Sequence, residues 1–344
     1  MKIFCAVSAI IISAMLFIKT NVPERYAIIE RQNELIASLQ GKATDADLKS
    51  ISTQKGITSI RFFMGPDGKV PDITDKGLSY IKDMKSLEQL ILGDIKITDA
   101  GLIHLSGLTN LKELSLHFND KITDAGLYHL RNLNKLKSLG LYEASITDLG
   151  ISYLNKMTDM EILFLGKTQI TDKGMEVISK MTKLKSLDLQ YTKIDDDGLA
   201  NLENLHDVNW LCLNHTNIDD NGLKHLEKLN DLVWFYVEDT NVTDKGLKSL
   251  EKFSNLKFLY ISGTKVTDAG LDSIGKLKNI ENLKLNGLPI TDKGLLKLKD
   301  LKKLYSIDLN KTQVSKEGIE KLKSLLPNLQ FWVNPDGSSS REPI

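Results

Sequence analysis

One glycine register constrains this chain more than any other feature. Gly77, Gly101, Gly126, Gly150, Gly174, Gly198, Gly222, Gly246, Gly270, Gly294 and Gly318 follow one another at 24 residues, with a single interval of 25. Each sits in a copy of Ile97-Thr98-Asp99-Ala100-Gly101-Leu102, which returns at 122–127, 146–150, 170–174, 242–247, 266–271 and 290–295, with looser copies from Ile194, Ile218 and Val314. A unit this short cannot bury its apolar face alone. Kept in register over eleven copies, it implies a stacked array in which each unit is buried by its neighbours.

The spacing inside one copy predicts the local structure. Leu111-x-x-Leu114-x-Leu116 ends in alternation, which places Leu114 and Leu116 on one face of a short strand and Glu113, Ser115 and His117 on the other. Gly101-Leu102-x-x-Leu105-x-x-Leu108 repeats its apolar residues at every third position, the period of a tight, 3₁₀-leaning helix. Thr98, Thr123 and Thr147 stand where helix N-caps belong, and the Asp after each occupies a first turn where negative charge suits the helix dipole. The expected fold is α/β: a curved parallel sheet on the concave side of a solenoid, short helices on the convex side, and leucines between them.

This pattern, L-x-x-L-x-L-x-x-T/N-x-I/V-T-D-x-G-L-x-x-L, resembles the leucine-rich repeat. It is similar to the cysteine-containing class found in F-box substrate adaptors, in the shortened form common in bacterial proteins. The resemblance spans roughly residues 73–333 and implies a solenoid that binds partners on its concave sheet. Two departures limit it. The class's cysteine after the helix is absent, and its strand-end position is mostly Thr (Thr168, Thr192, Thr216, Thr240, Thr264, Thr312), with Asn119 once. Residues 21–50 do not look like an F-box, so a ubiquitin-ligase role does not carry over.

Composition removes several classes of function. The 45 basic and 45 acidic residues cancel, and only five are Arg, so the usual electrostatic case for a nucleic-acid partner is missing. Cys5 and Cys212 supply neither a disulfide framework nor zinc spacing. No metal and no cofactor is expected. The Thr-Asp pairs read as caps rather than a calcium groove, because the glycine-rich nonapeptides of calcium-binding β-helices are absent.

Four segments follow. Residues 1–20 hold an uncharged apolar run from Ile3 to Ile18 between Lys2 and Lys19, either a signal peptide or an N-terminal membrane anchor. The lack of a small-x-small cleavage site favours the anchor. The chain is therefore expected to be exported, periplasmic or at the cell surface, and to meet a membrane only through residues 3–18. Residues 21–70 form an N-terminal cap and degenerate first repeat, with an amphipathic helix over about 21–39 suggested by Ile28, Ile29, Leu35, Ile36 and Leu39. The repeats occupy 71–333, and 334–344 is a polar tail read as disordered.

The concave positions of the strands are uneven in chemistry. Trp210, Trp234, Tyr236, Phe258 and Tyr260 fall on three successive strands, about 4.8 Å apart, and predict one aromatic patch. Asp188, His215, Glu238 and Asp239 surround it. Such a patch marks an interaction site, and a protein or peptide ligand is the expected partner. A carbohydrate, or a purely structural envelope role, is the alternative. No enzyme is expected. Cys212 and His215 are three residues apart on one strand, about 10 Å between Cα atoms, against the ~2.6–3.2 Å a nucleophile needs to reach its base. His104, His129 and His225 share one helix position and read as solvent-facing.

Overall fold

The computed structural model describes residues 26–31, 34–63 and 69–333; the apolar run 3–18 and the tail 334–344 lie outside the described residues. Fourteen strands form one sheet in strict chain order. Strands β1 (Tyr26–Arg31) and β2 (Glu34–Gln40) pair antiparallel. From β2 through β3 (Ile57–Phe63) and the three-residue strands β4 (Gln89–Ile91) to β14 (Gln330–Trp332), every neighbour is parallel. The amphipathic helix expected over 21–39 is thus replaced, in its described part, by two strands. The open edge of β3 offers a full row of backbone hydrogen bonds, and that tertiary pairing outweighs a weak helical periodicity.

The parallel register is in phase from β4 onward. Leu90, Leu114, Leu139, Leu163, Leu187, Leu211, Phe235, Leu259, Leu283 and Ile307 stand side by side at the centre of successive strands. All are fully buried. In the second glycine repeat, Leu102, Leu105, Leu108, Leu111, Leu114 and Leu116 are each 0% exposed, and each contributes about 1.5–3 kcal/mol through removal from water. The convex element of that repeat is a helix at Asp99–Leu102 that tightens into a 3₁₀ turn at Ile103–Leu105, as the three-residue spacing predicts.

The Thr-Asp pairs cap their helices as expected: Thr98, Thr123 and Thr147 accept from the backbone N–H two residues on. The aspartates do more than face the dipole. Asp99 Oδ1 accepts from the backbone N–H of Thr123 in the next repeat at 2.8 Å, and Asp99 Oδ2 accepts from the Thr123 hydroxyl at 2.6 Å. The same two-pronged link runs from Asp45–Thr74 to Asp292–Ser315. It explains the glycine register. A Cβ on Gly126 would fall on Asp99 Oδ1, and a Cβ on each other marker glycine would meet the aspartate of the preceding repeat in the same way. Glycine is needed for close approach, not for a left-handed backbone. Asp45 extends the ladder into the segment before Gly77, whose own repeat was hidden from the register because Asp47 stands at the glycine position.

Two links differ. Asp195 and Asp219 replace Thr, so Asp172 and Asp196 each receive a backbone N–H (3.0 and 2.9 Å) but face a second carboxylate where a hydroxyl belongs. Burial, together with that neighbouring charge, raises the pKa of Asp172 and of Asp196. Folding therefore favours their protonated forms, and the penalty is fully present at neutral pH and fades on acidification. Asp195→Thr with Asp219→Thr is expected to stabilise the fold by about 1 kcal/mol per site at pH 7.5, with a smaller gain at pH 4.5. Urea denaturation at both pH values measures it, and a loss of stability at pH 7.5 would refute the paired-carboxylate account.

Candidate functional site on the concave face

The concave residues of the middle strands come from β7 (Ile162–Phe164), β8 (Ser186–Asp188), β9 (Trp210–Cys212), β10 (Trp234–Tyr236) and β11 (Phe258–Tyr260). Their register aligns Trp210, Trp234 and Phe258 in one column and Asp188, Cys212, Tyr236 and Tyr260 in the next. The sheet brings the predicted patch together, but it does not expose all of it. Trp210 is 5% and Tyr236 3% exposed, in a cluster with Phe164 and Cys212. Phe164–Trp210 and Tyr236–Tyr260 meet edge-on at 5.6 and 4.7 Å. These rings lie down across the strands and form a packed floor, because cross-strand neighbours are close enough to cover one another. Trp210 and Tyr236 are therefore support rather than contact residues.

Asp188 is also in the floor. It is fully buried between Phe164 and Cys212 in register, and its carboxylate accepts from the backbone N–H and the side-chain amide of Gln190, both at 3.0 Å. Burial raises its pKa to about 6, against the opposing effect of its Gln190 and Cys212 hydrogen bonds. His117 is buried on the same face, its Nδ1 accepting from the Tyr142 N–H at 3.2 Å, and burial lowers its pKa to about 4.

What remains accessible divides between two sides of the floor. On one side Trp234 and Phe258 are half-buried and stacked, 5.6 Å apart and 15° from parallel. On the other is a column that the residue pattern did not reveal. Asp94, Phe118, Glu143, Lys167, Tyr191, His215, Asp239 and Lys311 all have positive φ, between 53° and 67°. They occupy one repeat position, which Gly263 and Gly287 fill elsewhere. The stack imposes this backbone: from Asp94 to Asp239 the N–H of each donates to a carbonyl of the following repeat, as in Tyr191 to Asn214 and His215 to Glu238, both 2.9 Å. Phe118 and Tyr191 are 47% and 45% exposed. Along the column the Lys167 ammonium bonds Glu143 at 2.6 Å, Tyr191 stacks on His215 at 4.0 Å, and His215 Nε2 lies 3.2 Å from Asp239. A sequence signal was absent because bulky residues ordinarily argue against a left-handed backbone.

The four groups whose residue types suit nucleophilic chemistry are separated into two environments. Asp188 and Cys212 are sealed in the floor, while His215 and Asp239 pair on the exposed rim. Among the described residues no group of three or more His, Cys, Asp or Glu side chains is arranged to hold a metal ion. Among them, too, no helix is long and apolar enough to cross a membrane.

Repeat, register and ladder together define a leucine-rich-repeat solenoid. A family model described as Leucine Rich repeat matches residues 107–130 and 180–202. Among solved structures, an internalin of Listeria monocytogenes is similar over 89% of this chain and 87% of its own, at 22% identity and a TM-score of 0.66. A leucine-rich-repeat protein of Leptospira interrogans matches 86% of this chain and 88% of its own at 17% identity, TM-score 0.54. No curated protein sequence matches the chain. At these identities the likeness establishes the fold.

Proposed function

We propose that this protein is a non-catalytic recognition module that holds a protein or peptide on its concave face. Trp234, Phe258 and Tyr260 supply apolar contact, and the rim of Tyr191, His215, Glu238 and Asp239 supplies orientation. Trp210, Tyr236 and Asp188 stiffen the floor beneath. The observation that carries this reading is the left-handed column. A non-glycine residue there costs roughly 1–2 kcal/mol relative to an unstrained one, and Gly263 and Gly287 demonstrate that the fold accepts glycine. Bulky side chains kept against the preference of the backbone indicate a use outside folding.

That account makes a prediction of opposite signs. Tyr191→Gly and His215→Gly are expected to leave the melting temperature unchanged or higher, yet to weaken capture of a partner from the native envelope at least about tenfold. Trp234→Ala is expected to cost at least ~2 kcal/mol of binding as a hot spot. Glycine variants that melt lower and bind normally would make the column structural. The likeness to the cysteine-containing class rests on the repeat motif alone, and no ligase partner is proposed from it. Export, with residues 3–18 as signal or tether, rests on the sequence of that run.

A further inference from the structure

We propose that the concave face takes a cationic peptide segment, with an arginine or lysine side chain seated against Trp234; this names the partner chemistry of the site above and rests on that reading. Trp234 is half-buried, and among the described residues its one ring partner is Phe258 on the β11 side. Its neighbour on the β9 side, Trp210, leans instead toward Phe164 and Tyr236. Just before strands β8 to β11, with Val233 next to Trp234 along the chain, opens a shallow pocket of about 390 Å³ lined by Lys185, Asp207, Asn209, Asp231, Val233 and Asn255. A half-exposed indole next to a polar pocket is unfinished as packing and suits a group with both an apolar stem and a charged head.

The sign of the charge follows from which groups are already neutralised. Lys185 donates to Glu161 at 2.7 Å, and Lys257, at the foot of β11, bridges Glu281 at 2.8 Å. Among the described residues, Asp207, Asp231 and Glu238 have no Lys, Arg or His within ion-pair distance. Asp207 and Asp231 hold equivalent places in successive repeats, in the turns that lead into β9 and β10, and both line the pocket. Asn255 Nδ2 approaches Asp231 at 3.5 Å, and Glu238 accepts from the Asn214 side chain at 3.2 Å. Negative charge thus flanks the aromatic pair on both sides.

The face already practises this chemistry on its own chain. The Lys284 ammonium sits 4.1 Å from the centre of the Tyr260 ring, and Lys167 lies 5.3 Å from Tyr142 and 5.7 Å from Tyr191. Trp234 offers the best cation-binding ring of the group and has no such occupant among the described residues. A guanidinium or ammonium there would gain the indole face, and neighbouring basic side chains of the same segment would lie toward the pocket carboxylates before the strand and Glu238 after it.

The test uses the full-length protein and three fluorescent nonapeptides of alternating Ala with Arg, citrulline or Glu, plus a neutral N-acetylglucosamine hexasaccharide, read by anisotropy and by tryptophan fluorescence. The Arg peptide is expected to bind at least tenfold tighter than its citrulline isostere, and to weaken as salt is raised. Asp231→Asn with Glu238→Gln, at an unchanged melting temperature, and separately Trp234→Leu, which also gives up the stacking on Phe258, are each expected to lower its affinity at least fivefold. Equal binding of all three peptides, all lost in Trp234→Leu, would overturn the charge inference and leave the peptide-binding reading standing. Binding of the hexasaccharide alone would overturn both in favour of a glycan. No binding by any probe would overturn the inference while the glycine variants of the rim still decide the wider reading.

Discussion

Gly126→Ala is expected to lower the free energy of unfolding by about 2–4 kcal/mol, although helix propensity alone favours Ala over Gly by about 1 kcal/mol. The reason lies in the neighbouring repeat. A Cβ at this position would occupy the place of Asp99 Oδ1 and come within 2.9 Å of Leu102 Cδ1. The carboxylate has no free direction of retreat, because it holds the Thr123 N–H at 2.8 Å and the Thr123 hydroxyl at 2.6 Å. Hydrogen bonds to a charged acceptor contribute about 1.5–3 kcal/mol each, and a displaced carboxylate leaves a half-buried N–H without its partner. Loss of even one such bond exceeds the propensity gain. A double-mutant cycle with Asp99→Ala separates the causes: once the carboxylate is gone, the further cost of Gly126→Ala is expected to drop below about 1 kcal/mol. Should the cost stay the same in both backgrounds, the clash with Leu102 would be its source and the ladder explanation of the glycine register would fail.

Asp188→Asn is expected to move stability in the other direction, by up to about 3 kcal/mol at pH 7.5. The buried carboxyl titrates near 6 in the folded chain, against 3.8 for the free group. Above pH 6 both folded and unfolded forms are ionised, and the native state bears the whole cost of a charge in the aromatic floor. Below about pH 4 both are protonated and the cost is gone. Stability contributed by this group therefore falls as pH rises from about 4 to 6, by ~1.36 kcal/mol for each pH unit between the folded and unfolded titrations. Asparagine keeps the shape and still accepts from the Gln190 N–H, while the Gln190 amide can turn to accept in place of donating. Denaturant midpoints of the two proteins should diverge at pH 7.5 and converge near pH 4. A variant that is less stable at pH 7.5 would mean that the ionised carboxylate is itself required, which would bring Asp188 back as a contact residue.

These two sites illustrate how far the residues could be read directly. The core was legible because period decides which way a side chain points: Leu114 and Leu116 alternate with Glu113 and Ser115, and both leucines are fully buried. The three-apart leucines announced the 3₁₀ turn at Ile103–Leu105, and Thr123 announced its own cap. Pattern could also place Trp210, Trp234 and Phe258 in a single column, since the repeat length sets the register.

Exposure is a different kind of property. Whether Trp210 faces solvent depends on where Phe164 and Tyr236 lay their rings, and those belong to other repeats, two strands away on one side and one on the other. The left-handed column was equally hidden. Nothing in Phe118 or Tyr191 favours positive φ; the conformation is held by hydrogen bonds to the following repeat, Phe118 N–H to Tyr142 and Tyr191 N–H to Asn214. The first two strands carry the same lesson, since Tyr26–Arg31 and Glu34–Gln40 become strands by pairing at an open sheet edge.

By itself, then, the sequence determined the repeat, the stacking direction and the identity of the buried leucines, because a period is a local property that every copy restates. Only the tertiary structure decided which concave rings are floor and which are surface, why each glycine must be glycine, and which carboxylates remain unneutralised. Those outcomes depend on atoms about 24 residues apart that the stack brings within about 5 Å of one another.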